Sequence, residues 1–327
     1  MNILGIESSC DDTSAAVLTA DGIKSNVIAS QSIHLKFGGV VPELASRAHQ
    51  KTISQTVNQA LEEAEISMDA IDAIAVTQGP GLLGSLLVGT CFAKGLSLSK
   101  NIPLIGVNHM DAHIYANFID NSPDFPLIAL TVSGGHTQLV YVKSAFEHEI
   151  IGQTRDDAAG EAFDKIGKLL GLPYPAGPHM DRLAKDGNLK FHKFPQALLQ
   201  KGLDFSFSGL KTSVLYYLQD KEEGWIEEHL NDICASVSFA IAEVLVKKLK
   251  RSIKQTGVKT VLLAGGVSAN SMLREKSEKM AREMGVQLFS PKISYCTDNA
   301  AMIAVTGKMK AEAGQFDDLD MVPYASL

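Results

Sequence analysis

The chain has 327 residues, of which 45% are apolar, and a net charge of −7. At roughly 150 residues per domain the length predicts about two domains, and the apolar content excludes a disordered chain. The acidic balance argues against a simple nucleic-acid-binding surface, and no apolar run approaches the ~18 residues of a membrane span.

The start, Met1-Asn2-Ile3-Leu4-Gly5-Ile6-Glu7, lacks a basic region and does not read as a signal peptide. Cys10, Cys91, Cys234 and Cys296 are scattered without a C-x-x-C pair, as expected of reduced cytosolic thiols. Asn2 to Glu7 and Thr13 to Leu18 predict strands, and Asp21-Gly22 turns the chain into a third over Ile23 to Ser32. Val41 to Ala64 repeats apolar residues at helical spacing. A strand over Ile71 to Thr77 is broken by Gly79-Pro80-Gly81, and a helix over Leu82 to Ser99 follows. Pro103 to Val107 predicts a strand and His109 to Ile119 a helix.

The order then returns. Leu127 to Val132, His136 to Val142 and His148 to Thr154 predict strands, and Ala158 to Leu170 a helix. A long amphipathic helix presents Val237, Ala240, Ile241, Val244, Leu245 and Leu249 on one face. Lys259 to Ala264 predicts a strand ended by Gly265-Gly266, followed by a helix over Ser268 to Met284, a strand over Val286 to Phe289 and a helix over Thr297 to Ala311. Both halves therefore read as three strands, helix, strand, glycines, helix, strand, helix. This predicts a duplicated α/β unit with a ligand cleft between the copies, beyond the strand C-termini. The expected subdomains are 1–126, with 308–327 packing back on it, and 127–307. Residues 172–231 read as a looser, substrate-shaping insertion.

Several groups of residues carry chemistry. Ser133-Gly134-Gly135-His136-Thr137 sits between two strands, where bare amides suit a phosphate, although Gly-Gly is also an ordinary hairpin dipeptide. Gly265 to Asn270 ends a strand and opens a helix, which again suits an anion. Neither is a Walker loop or a dinucleotide fingerprint. His109 and His113 share one helix face at ligand spacing, although by spacing alone two ordinary helix histidines are the commoner reading. The metallopeptidase motif needs Glu after the first His, and Met110 stands there. Asp298 holds the matching place in the second half, either as a third ligand or as a capping-region acid. Glu7, Asp11 and Asp12 cluster at the first turn as proton acceptors, cation holders or turn acids. Asp164, flanked by Phe163 and Ile166, is harder to explain as a solvated acid than Asp156 and Asp157 are. Lys247, Lys248, Lys250, Arg251 and Lys254 read as a solvated helix end.

Taken in order, Ile6 to Thr13, Gly38 to Glu43, Gly79 to Leu82, Asn108 to His113, Val132 to Gln138, Ala159 to Lys165, Phe205 to Thr212, Gly265 to Asn270 and Cys296 to Asn299 closely resemble one family. It comprises the catalytic subunits of the bacterial tRNA threonylcarbamoyladenosine synthases, once described as O-sialoglycoprotein endopeptidases. The resemblance covers about Asn2 to Lys310. It implies the duplicated actin/Hsp70/sugar-kinase-like (ribonuclease H-like) α/β fold with its active-site cleft between the halves.

The resemblance also implies site residues. His109, His113 and Asp298 match the ligands of one divalent metal ion, iron(II) or alternatively zinc. Val132, Ser133, Gly134, Gly135 and His136 match the adenylate-binding strip, and Asp164, Gly177, Asp181 and Asn270 the other substrate contacts. Asp11 is the candidate proton acceptor. Two positions depart from the family pattern: the usual Asp-Glu pair is Asp11-Asp12, and the usual Pro-Gly-Gly-Pro is Pro175-Ala176-Gly177-Pro178.

The implied activity is transfer of threonylcarbamoyl from threonylcarbamoyl-AMP to the exocyclic amine of the tRNA adenine just 3′ of the anticodon, in tRNAs that read codons beginning with adenine. The rivals are a metal-dependent endopeptidase, a sugar kinase and a non-catalytic nucleotide-binding partner. The implied partners are tRNA, a separate threonylcarbamoyl-AMP synthase, a paralogous dimerisation subunit and a small ATPase, in the cytoplasm and without a membrane. The paralogue is expected on the helices Val41 to Ala64 and His109 to Ile119. Lys247, Lys248, Lys250 and Arg251 are candidates for part of a tRNA track.

Overall fold

The computed structural model describes residues 1–37 and 39–326. Gly38, in the Gly38 to Glu43 motif, and Leu327 lie outside the described residues. The chain forms two compact units, Met1–Asn121 with Pro291–Leu327, and Ser122–Ser290.

The first unit runs β1 (Ile3–Glu7), β2 (Asp12–Thr19), β3 (Gly22–Ser30), α1 (Pro42–Glu63), β4 (Ala73–Gly79), α2 (Leu83–Lys100), β5 (Leu104–Asn108) and α3 (His109–Tyr115). Its sheet has the order β3-β2-β1-β4-β5, antiparallel across the first three strands and parallel from β1 to β5. β1 is buried along its whole length, as a central strand covered on both faces must be, which explains its aliphatic run. Ile53, Val57 and Ala60 of α1 and Ala93 of α2 join Leu4, Ile6, Ile74 and Val76 in one core.

In the second unit come β6 (Leu127–Val132), β7 (Thr137–Ser144), β8 (Glu147–Gln153), α4 (Ala159–Leu169), α5 (Ala176–Ala184), α6 (Ser208–Gln219), α7 (Trp225–Glu228), α8 (Leu230–Thr256), β9 (Thr260–Ala264), α9 (Ser271–Met284) and β10 (Gln287–Phe289). The sheet order is β10-β9-β6-β7-β8, the same arrangement as in the first unit. All six apolar residues expected on one face of α8 are buried.

The chain then returns to the first unit as α10 (Ala300–Glu312). Residues 291–307 therefore pack with the first unit and not, as expected, with the second half. Small side chains explain the placement. A Cβ on Gly5 would lie 2.4 Å from the Ala300 carbonyl oxygen, and one on Gly307 would lie 2.3 Å from Ala75 Cβ. Helix and sheet touch at main-chain distance, and larger residues would separate them.

Three further expectations change. Residues 172–231 are not loose: they form α5, α6 and α7, and Met180, Phe194, Phe205, Phe207, Leu210 and Val214 are buried in the second core. Phe205 extends the sheet, donating from N to Gln153 O at 3.0 Å, and Asp156 caps α6 by accepting from Ser208 N and Oγ.

The basic run on α8 is engaged within the protein. Lys248 is fully buried, and its ammonium donates to the carbonyls of Leu198, Lys201 and Gly202; burial pulls its amine down to about 8. Lys247 pairs with Glu243, Lys250 with Glu283, and Arg251 donates to Gly202 O. Lys248 is thus a structural cation that cannot meet a phosphate.

Finally, α3 has no free face for a partner, because His109, Met110, Ala112, His113, Ile114 and Tyr115 are all buried. Among the described residues, the α-helix of this unit that exposes large apolar side chains is α2, at Leu83, Leu87 and Leu98. No helix among the described residues is long and apolar enough to cross a membrane.

Candidate functional site

In the first unit the site forms where the parallel strands end. β5 runs into α3 at Asn108, whose Oδ1 accepts from the N–H groups of Met110 and Asp111 and so caps the helix. One helical turn separates His109 from His113, and their rings meet edge to face at 4.7 Å. Asp298 arrives from the turn before α10, beside Asn299, which caps that helix by accepting from Met302 N.

Asp298 Oδ1 lies 3.2 Å from His113 Nε2 and 3.5 Å from His109 Nε2. One donor atom from each of the three residues lies within 4.8 Å of the others. His113 is 1% exposed, and neither of its ring nitrogens makes a hydrogen bond among the described residues. The Asp298 contact lacks hydrogen-bond alignment. A buried imidazole left so is costly unless a cation completes it. Two imidazoles and one carboxylate with a further coordination position open form the donor set of a catalytic metal site, so the residues fit one metal ion.

Glu7 supports this arrangement. It is fully buried, accepts from Ser9 N and from Thr77 Oγ1 at 2.6 Å, and its Oε2 lies 3.1 Å from His109 Nδ1. A carboxylate behind a ligand imidazole fixes the ring and its tautomer. Burial alone would raise the Glu7 carboxyl, but the neighbouring His109 outweighs it and holds the group low. For His109, burial acts downward, and the Asp298 and Glu7 carboxylates override it to raise the imidazole to about 9. The pocket therefore attracts positive charge, whether a proton or a cation.

Sequence reasoning grouped Glu7 with Asp11 and Asp12, and the structure keeps their charges within reach of one another while giving each a different place. Glu7 ends β1, Asp12 opens β2 opposite Ser30, and Asp11 lies between them, half-buried. Burial, chiefly, and the nearby Asp11, Asp298 and Glu7 charges push the Asp12 carboxyl up to about 6. The signal that could have singled out Glu7 is a lone acid closing an otherwise apolar strand.

The second unit gathers its residues at the equivalent sheet end. Ser133 N donates to His136 O at 2.8 Å, and His136 N donates to Ser133 Oγ at 3.1 Å, closing a tight β6–β7 turn. Gly134 and Gly135 are exposed, neither takes a left-handed φ, and a Cβ on either would meet nothing within 4 Å. Neither the backbone nor the packing requires glycine there. Gly265 differs: its φ is +81°, and a Cβ would lie 2.5 Å from Val132 O. Val132 itself is fully buried and offers only its main chain.

The other four positions form a chain. Asp164 Oδ1 accepts from Ala176 N at 2.7 Å, and Gly177 N also bonds its carboxylate; burial nevertheless pushes that carboxyl up. Asp181, on the same helix α5, accepts from Ser271 N at 2.9 Å and Ser271 Oγ at 2.8 Å. Asn270 caps α9 by accepting from Leu273 N at 2.9 Å. Each side chain therefore carries a structural duty as well. The family departure at Ala176 is absorbed inward, since this buried methyl packs where Gly167 leaves room.

The family model described as tRNA N6-adenosine threonylcarbamoyltransferase matches residues 22–305. A protein of that name from Christiangramia forsetii is 52% identical, over 98% of this chain and 96% of its own. Another from Porphyromonas gingivalis is also 52% identical, over 99% of this chain and 98% of its own. Among solved structures, HypF from T. kodakarensis is similar in fold, with a TM-score of 0.65 at 14% identity over 95% of this chain and 48% of that one. The fold is thus the duplicated α/β type of the actin/Hsp70/sugar-kinase group.

Proposed function

The chain belongs to the tRNA N6-adenosine threonylcarbamoyltransferase family, and from that premise we propose how its residues carry out the transfer. The reaction moves threonylcarbamoyl from its mixed anhydride with AMP to the exocyclic amine of a tRNA adenine, releasing AMP. That amine is a poor nucleophile because its lone pair is delocalised into the ring. The enzyme must therefore orient it, polarise the carbonyl and stabilise the leaving phosphate.

His109, His113 and Asp298 hold one divalent ion, iron(II) or alternatively zinc, for which two imidazoles and a carboxylate are suitable donors. When bound, it supplies Lewis acidity and a template. The observation that carries this assignment is His113, buried with both ring nitrogens lacking a hydrogen bond among the described residues. Glu7 keeps the His109 ring turned toward the other ligands. The Ser133–His136 turn holds the adenylate phosphate with the main-chain N–H groups of Gly134 and Gly135, since those of Ser133 and His136 close the turn itself, and the bare glycines admit it closely. Asp164, Gly177, Asp181 and Asn270 complete the adenylate contacts. Asp11 is our candidate to take the proton from the attacking amine.

The peptidase alternative is not favoured, because Met110 stands where its general base belongs. Cytoplasmic tRNA is the substrate. A separate synthase supplies the labile adenylate, and a paralogous subunit and a small ATPase complete the machinery. The paralogue would cover Leu83, Leu87 and Leu98 of α2. With no surplus positive charge, the isolated chain should turn over little by itself and become active when those partners are added. Mass spectrometry of tRNA nucleosides after depletion of this protein tests the reading. Loss of threonylcarbamoyladenosine is expected, and an unchanged level would overturn it.

A further inference from the structure

The segment after α10 is fastened along the edge of the first sheet. β5 is an edge strand, whose free main chain needs cover. Asp317 N donates to Leu104 O at 2.8 Å, Asp317 Oδ2 accepts from Gly106 N at 2.8 Å, and Lys310 Nζ donates to Gly106 O at 2.6 Å. Met321 is buried in the first core. Its sulfur occupies the space a Cβ on Gly106 would need. The chain then crosses to the end of β4. Gln78 Nε2 donates to Val322 O at 3.0 Å, Tyr324 N to Gln78 O at 3.1 Å, and Gly81 N to Ala325 O at 3.2 Å. The Tyr324 ring lies over Gly79, where a Cβ would come within 2.8 Å of ring carbons. This anchoring puts the Tyr324 hydroxyl 2.9 Å from Asn108 Nδ2.

Asn108 is the residue that joins β5 to α3 and caps the helix with its side-chain oxygen. An amide can present either its oxygen or its nitrogen by rotating half a turn, and only the oxygen can cap. With its nitrogen donating to Tyr324, the amide is held with the oxygen toward Met110 N and Asp111 N. α3 has only 7 residues, too few to hold a helix unaided. Its first residue is His109.

We propose that Tyr324 is a positioning residue of the metal centre, acting through Asn108 to fix the start of α3 and with it the His109 imidazole. Tyr324 touches neither the ligand atoms nor the substrate. Its effect is on how well the histidine pair is preorganised for the ion. This inference rests on the metal assignment proposed above.

Tyr324→Phe removes one oxygen and keeps the ring over Gly79. The full chain would be loaded with zinc, and metal loss to excess chelator followed for the wild type, Tyr324→Phe, Asn108→Ala and the double variant. Each single variant is expected to release zinc about 3- to 10-fold faster, as for loss of a supporting partner or a cap. The double variant should release it no faster than Asn108→Ala alone. The thermal midpoint of the metal-stripped Tyr324→Phe chain should fall by no more than the loss of one hydrogen bond allows, and Asn270→Ala, which loses a helix cap in the other unit, should release zinc at the wild-type rate. Wild-type release from Tyr324→Phe, fully multiplying effects in the double variant, or faster release from Asn270→Ala would each overturn the inference alone. Failure of the wild-type chain to retain zinc would overturn the metal assignment and this inference together.

Discussion

At the end of β5 the chain presents buried side chains, while at the end of β6 it presents bare main chain. His109, His113 and Glu7 are enclosed, and nearly every polar atom of Glu7 and His109 has a partner in the protein. Gly134 and Gly135 are exposed and touch nothing at the position a side chain would take. The two sheets have the same strand order, so the difference does not come from topology. A metal needs fixed donor atoms in low dielectric, which side chains held by further partners provide. A phosphate needs N–H groups without steric cover, which only glycine leaves open. On the reading proposed above, one architecture repeated twice supports two recognition chemistries through what is added to, or withheld from, the ends of equivalent strands.

The sharpest way to break this comparison is to remove a ligand. His109→Ala and Asp298→Ala should each lose most bound metal by elemental analysis while remaining folded by circular dichroism. Unchanged metal content in both would end the assignment. His136→Ala should retain metal and weaken the adenylate instead.

Glycines of the second unit provide the next test. Gly265→Ala combines a φ of +81° with a main-chain oxygen at 2.5 Å, and it should destabilise by more than about 3 kcal/mol. Gly134→Ala should change stability by no more than about 0.5 kcal/mol, as an uncrowded surface substitution does. It should nonetheless weaken a stable adenylate analogue about tenfold, or ~1.4 kcal/mol. Calorimetry and denaturant titration separate the two effects. Full affinity in Gly134→Ala would return the turn to an ordinary hairpin.

A third prediction concerns pH in the chelator-stripped chain. Asp12 is raised to about 6 in the fold from an unfolded value of 3.8. The folded state therefore holds its proton more tightly, and the wild type loses stability as pH climbs from about 4 through 6. Asp12→Asn cannot undergo that loss. It should match the wild type below pH ~4 and be more stable by about 2 kcal/mol above pH ~7, after allowance for partial exposure. Added metal should shrink the gap by offsetting the carboxylate repulsion. Parallel stability curves across that range would place Asp12 outside the acidic cluster.

The smallest effect is at Asn270. Loss of its cap in Asn270→Ala should cost about 1 kcal/mol whatever the ligand does. Asn270→Asp keeps a capping oxygen, so its adenylate affinity reports ligand contact without the stability change. Wild-type affinity in Asn270→Asp would leave this residue a cap alone.

Much of this was legible in the sequence because it rests on local periodicity. The buried faces of α8 and β6 follow directly from spacing, and each strand of both sheets was expected within a few residues of where it lies. His109 and His113 were legible because one helical turn brings them together. The support behind them was not: Glu7 reaches His109, and Thr77 reaches Glu7, from strands distant in sequence, and no local pattern encodes that meeting. Lys248 misled for a similar reason, since a lysine beside other cations reads as solvated until the carbonyls of Leu198, Lys201 and Gly202 are seen around it. The return of α10 was missed because its alanines and Gly307 fit either half by hydrophobicity, and only close packing against Gly5 and Ala75 decides between them.

That return fixes an order of events during synthesis. The first unit begins the chain, yet its sheet lacks one covering helix until α10 has been made, after the whole of the second unit. At ~5–20 residues per second the ribosome needs on the order of ten seconds or more to pass from His113 to Asp298. During that interval the nascent chain carries both histidines without the carboxylate that completes their set. On the metal assignment proposed above, capture is thereby deferred to nearly finished chains, and prematurely terminated products would leave the ribosome unable to sequester the ion.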